Sequence, residues 1–179
     1  MKDIGMKLFR MKKPKEPRIT PAEAGKAMAA YATNYRSFVD DFAKHGKVNE
    51  LEAWGLNIFC VAFGIKLATR GRLSPIGEHE LFEALHRTIY QIAIRVFTLD
   101  NDGYETFLQW MTRKFEEYDP HAQRYFFQAD KNEFDFGSVI AKNLLGKEKD
   151  VHASLLVFHP AILRILSTVK AFNNFQLIG

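Results

Sequence analysis

Three side chains with metal-ligating chemistry recur at helical spacing in His79, Glu83 and His86, with Tyr90 one further turn along. At about 100° per residue they fall within roughly 60° of one another on a helix. Two imidazoles and a carboxylate form the ligand set of a mononuclear non-haem iron site, and Glu83-Ala84-Leu85-His86 has the Glu-x-x-His spacing of di-iron bundles. Two features weigh against a metal. His79 and His86 lie seven residues apart, about 10.5 Å of helix rise, a long span for one ion. A di-iron site also needs a second Glu-x-x-His, which the chain lacks. A solvated helix edge is the more ordinary reading. The cofactor expectation is therefore none, with non-haem iron or another transition metal as the alternative.

The remaining chemistry is sparse. Cys60, the lone cysteine, lies in Ile58-Phe59-Cys60-Val61-Ala62, where apolar neighbours disfavour a thiolate. It forms no disulfide within the chain and suits a reducing compartment, so a cytoplasmic location is expected. His45, His121, His152 and His159 are scattered, and a haem ligand among them has no attachment motif to support it. There is no Gly-x-Ser-x-Gly and no phosphate-binding glycine loop. Asp135-Phe136-Gly137 matches a kinase tripeptide without its companion motifs and is read as coincidence. Asp100-Asn101-Asp102-Gly103 matches part of a calcium loop, but Thr98 and Gln109 stand where acids are required. It is read as a turn and helix cap.

Charge is concentrated in a tail. Of the chain's net +4, residues 1–18 hold seven Lys and Arg against two acids, which leaves residues 19–179 at −1. A nucleic-acid-binding domain spreads its cations over a face of the fold, and this one does not by count. Lys7, Arg10, Lys12, Lys13 and Lys15 are the candidates for contact with an anionic surface or a protein partner. Met1, Ile4, Leu8 and Met11 would share one face if this tail became helical, although Lys12, Gly5, Pro14 and Pro17 oppose that. A solubilising tail is the simpler expectation.

The elements that must position these residues read as helices throughout. Thr20-Pro21-Ala22-Glu23 is a capping box with Pro at the first helical position. Met28, Tyr31, Tyr35, Phe38 and Phe42 continue one face of a single helix as far as His45-Gly46. Asn49 opens and Arg70-Gly71 closes a second helix that is apolar all round and therefore central. Ser74-Pro75 opens a third, to about Thr98, carrying His79, Glu83 and His86. A fourth runs from Gly103 and ends or bends at Asp119-Pro120, with a short helix after it. Phe136–Leu145 and the stretch after Asp150, broken or kinked at Pro160, complete the set.

The expected fold is an all-α bundle of roughly six to seven helices around residues 50–70, with residues 1–18 as a basic flexible tail and residues 19–179 as one domain. The 16 Phe are assigned first to the core. No uninterrupted apolar run spans a bilayer, so no transmembrane segment is expected. A non-catalytic binding or regulatory module is the functional expectation, with a metal- or cofactor-dependent protein or a carrier of an apolar ligand as alternatives. The C-terminal stretch from Val151 to Ile178 carries apolar residues on more than one face. Ile162, Ile165, Leu166 and Val169 are expected to turn inward, and a symmetric homodimer through this segment is the partner expectation.

Overall fold

A computed structural model describes residues 17–44, 46–97, 103–128, 133–147 and 150–178. The fold is an all-α bundle. Among the described residues there are seven helices: α1 (Pro21–Thr33), α2 (Arg36–Ala43), α3 (Glu50–Thr69), α4 (Pro75–Phe97), α5 (Gly103–Phe127), α6 (Glu133–Leu145) and α7 (Val151–Phe172). The basic residues Lys7, Arg10, Lys12, Lys13 and Lys15 and the Asp102 cap lie outside the described residues, as does His45.

The helix starts follow from local chemistry. Thr20 Oγ1 accepts from Glu23 N–H while the Glu23 carboxylate accepts from Thr20 N–H, closing the capping box. Those bonds hold the Glu23 carboxyl below the usual carboxylate range. Asn49 and Asp150 cap α3 and α7 through Glu52 N–H and Ala153 N–H. Gly146, at φ +65°, ends α6 in the left-handed conformation that a side chain disfavours.

α3 is central because two packed clusters meet on it. Phe59 and Phe63 join Tyr118, Phe136 and Phe158 on one side, while Trp54, Ile58 and Val61 join Leu81, Leu85 and Ile89 on the other. Every residue from Ala53 to Ile65 is buried, which is why this helix has no polar stripe. Both α3 and α7 are long and apolar enough to cross a membrane by length and composition. The apolar window of α3 is 78% buried, against only 39% for α7.

Two elements differ from expectation. The helix begun at Thr20 breaks at Asn34-Tyr35, giving α1 and α2. The cause is competition for carbonyls. Arg164 of α7 donates to Tyr31 O (2.5 Å) and Asn34 O (3.1 Å), and Asn57 of α3 donates to Ala32 O. In an unbroken helix all three carbonyls would accept from the residue four places on. Pro120 does not end α5, which continues to Phe127 and absorbs the expected short helix. Both Pro120 and Glu116, whose carbonyl it leaves unbonded in the helix, are exposed to water. Pro160 lies within a continuous α7, so of the two readings there, broken or kinked, the break does not occur.

One parallel strand pair was not anticipated. β1 (Arg18–Ile19) lies beside β2 (Gln176–Leu177), with Arg18 opposite Gln176. Arg18, grouped with the tail by its charge, is therefore tied to the C-terminal segment, and Arg18 Nε also donates to Gln176 Oε1 at 3.2 Å.

Candidate functional site

α4 places His79, Glu83 and His86 along one edge, but its neighbours separate them. His79 is exposed. Glu83 accepts from Arg87 Nε at 2.6 Å and from the Tyr104 hydroxyl of α5 at 3.3 Å. The Arg87 guanidinium also sits 4.8 Å over the Tyr104 ring. Burial, aided by the Glu83 charge and hydrogen bond, pushes the Tyr104 phenol up to about 12. Glu83 thus serves as a tie between α4 and α5.

His86 turns the other way. Its ring packs against Phe82 and, edge-on, against Phe115 of α5 at 6.3 Å between centroids. Its Nε2 is buried and has no hydrogen-bond partner among the described residues. The three side chains do not form a ligand set, and among the described residues no group of three His, Cys, Asp or Glu is placed to hold a metal. Helical angle alone put them together. The packing of α5 against that edge divides it into a wet end, a salt-bridged middle and a buried end.

The burial of His86 has a pH signature. Desolvation lowers its pKa, outweighing the opposing pull of Glu83. The unfolded chain then takes up a proton near the ordinary value of about 6.5, before the folded chain does. Stability from this group is complete above that pH and falls as pH drops toward the folded pKa. Urea midpoints at about pH 7.5 and about pH 5 should show a loss that His86→Leu reduces. An equal loss in both proteins would remove His86 as its source.

Cys60 lies fully buried in the cluster of Phe59, Phe63 and Tyr118, and burial pushes its thiol strongly upward. Thiol reagents should label it slowly without denaturant and quickly with it. Rapid native labelling would contradict the central position of α3. His121 Nδ1 lies 3.2 Å from Asp135 of α6, while His152 and His159 are exposed on α7. Phe42, Phe59, Phe63, Phe136 and Phe172 are among the largest fully buried side chains, in keeping with a core role.

The more unusual surface is on α7. Ala153, Val157, Phe158, Ala161, Ile165 and Phe172 face the bundle. The opposite side leaves Val151 57%, Leu155 40%, Leu163 65% and Leu166 49% exposed. At about 100° per residue these four lie within an arc of roughly 120°. Leu166 was expected to point inward, but it shares this outer arc, whereas Ile162 and Ile165 are buried as expected. Beside the arc a groove of about 550 Å³ separates α7 from α2, bounded by Phe38, Asp41 and Lys44 on one wall and Leu156, Leu163 and Arg164 on the other. A second concavity, about 260 Å³ at the C-terminal end of α3, has its cations engaged: Arg70 lies 4.5 Å over the Phe127 ring and Lys66 3.8 Å from Asp119.

The sequence signal for the α7 face is an apolar segment with more than one greasy side, but composition does not say which side remains outside. No family model, curated protein or solved structure matches the chain.

Proposed function

We propose that this chain is a non-catalytic helical interaction module whose working surface is the outer face of α7. The observation carrying this reading is the row of exposed aliphatic side chains, Val151, Leu155, Leu163 and Leu166, on a helix whose inner face is fully packed. Single exposed apolar residues are ordinary, whereas two pairs of them on one helix face, Val151 with Leu155 and Leu163 with Leu166 on either side of the exposed His159, support a contact surface. Fully burying an exposed Leu or Val side chain contributes about 1.5–3 kcal/mol, and each of these four, already partly covered, has a fraction of that left to give on association.

The test compares the wild-type chain with Leu163→Glu and Leu166→Glu, both at exposed positions where a carboxylate leaves the fold intact. Immobilised wild-type protein should retain a protein component, either a second copy or another chain, that both variants lose while their melting curves stay unchanged. Equal retention by all three would overturn the reading.

A further inference from the structure

The turn between α3 and α4, the start of α1, the end of α5 and the strand pair meet at one end of the bundle. Arg72 Nη1 donates to Asn173 Oδ1 at 2.9 Å, which joins the turn to the end of α7 and so to β2. A Cβ at Gly77 would lie 3.5 Å from Pro21 Cγ, so α4 and α1 start side by side. Leu73 and Phe127 line one concavity, which brings in the end of α5. We propose that this end, together with the basic residues that precede Pro17, docks on an anionic lipid surface.

Two properties point to lipid. The first is uncompensated charge. Arg18, Arg70 and Arg72 are exposed, and none has a carboxylate partner among the described residues. Lys44, Lys66, Arg87, Lys114 and Arg124, elsewhere on the bundle, each have one. Glu78 and Glu23 offset part of the charge at this end, and Glu23 is already bound into the Thr20 cap. Residues 1–16, which lead into Pro17 and Arg18, add six Lys and Arg against two acids.

The second property is the presence of apolar side chains among those cations. Ile76 is 72% exposed in the first turn of α4, Phe127 47% at the end of α5 and Ile178 45% beyond β2. Peripheral binding grows with the apolar area buried in the interface and with the attraction of cations to anionic lipid. A nucleic acid would use the cations and leave Ile76 and Ile178 in water. The Phe127 ring could stack a base, but the Arg70 guanidinium already sits 4.5 Å over it.

The full chain should co-sediment with vesicles of phosphatidylcholine containing about a quarter phosphatidylserine, and scarcely with phosphatidylcholine alone. Binding should be lost in about 1 M salt, where the Debye length is about 3 Å. Arg70→Gln should weaken it about fivefold, and Lys12→Gln, Lys13→Gln and Lys15→Gln combined about a hundredfold, since each cation multiplies binding by about five. Ile76→Asp should weaken it about tenfold. Its melting curve should hold, because a carboxylate in the first turn suits the helix dipole. Leu163→Glu, on the outer face of α7, should bind as the wild type does.

Absence of sedimentation with the anionic vesicles would overturn the proposal. So would a loss in the triple lysine variant that Arg70→Gln and Ile76→Asp do not share, which would confine the contact to residues before Pro17. Equal binding to both vesicle types, abolished by Leu163→Glu, would move the lipid contact to α7. Tighter retention on duplex DNA, insensitive to Ile76→Asp, would assign the cations to nucleic acid instead.

Discussion

Gly137→Ala should destabilise the fold by about 3 kcal/mol, which for a chain of this size lowers the melting temperature by about 6–12 °C. A Cβ at Gly137 would lie 2.2 Å from the Ser154 carbonyl oxygen and 2.8 Å from its carbon. Both are backbone atoms of α7, so no rotamer change relieves the clash, and α6 and α7 must separate. In a helix interior the same substitution would otherwise gain about 1 kcal/mol from propensity. Gly77 is the internal control: a Cβ there meets nothing nearer than 3.5 Å, and Gly77→Ala should be neutral or mildly stabilising. Urea unfolding of the two variants decides the matter. A Gly137→Ala midpoint equal to wild type would show that α6 and α7 tolerate a wider spacing.

Arg164→Ala should cost a similar amount, on the order of 3 kcal/mol. The guanidinium is partly buried, and desolvation pulls its pKa below the ordinary arginine value. Nε donates to Asn57 Oδ1 at 2.7 Å and Nη2 to the carbonyls of Tyr31 and Asn34, while the plane rests 4.3 Å over the Tyr31 ring. One residue of α7 therefore fastens the end of α1 and orients the α3 amide that bonds Ala32 O. Truncation leaves those acceptors short of donors. Arg164→Lys should rescue only in part, because an ammonium lacks the planar fork that serves several directions at once. Hydrogen exchange should quicken at the α1–α2 junction before it does in α6. Uniform acceleration, or none, would contradict this account.

These two positions also mark the boundary of what the sequence discloses. Caps are short-range: Thr20 with Glu23, Asn49 with Glu52, and Asp150 with Ala153 each act within one turn, so these three helix starts were legible, whereas α6 begins at Glu133, ahead of the expected Phe136. The all-apolar pattern of α3 identified the centre for the same reason, since burial on every side leaves no polar stripe. The break after Thr33 was not legible, because it depends on donors 25 and more residues away at Asn57 and Arg164. Gly137 drew notice only as part of a tripeptide, whereas its role is to let Ser154 approach. Likewise His79, Glu83 and His86 were found as residues, but whether they converge was settled by Tyr104 and Phe115 on α5. Periodicity finds the face of a helix. It does not find the neighbour.

The strand pair at the two chain ends has a mechanical consequence. Gln176 N–H donates to Pro17 O and Ile178 N–H to Ile19 O, each at 3.0 Å. β1 and β2 run parallel, so tension entering before Pro17 and leaving after Ile178 drags them past each other lengthwise. Loaded in shear, the bonds share the force together instead of opening in turn like a zipper. α1 and α7 both lie behind this latch, which must slip before a pull at those points can peel either helix from the bundle.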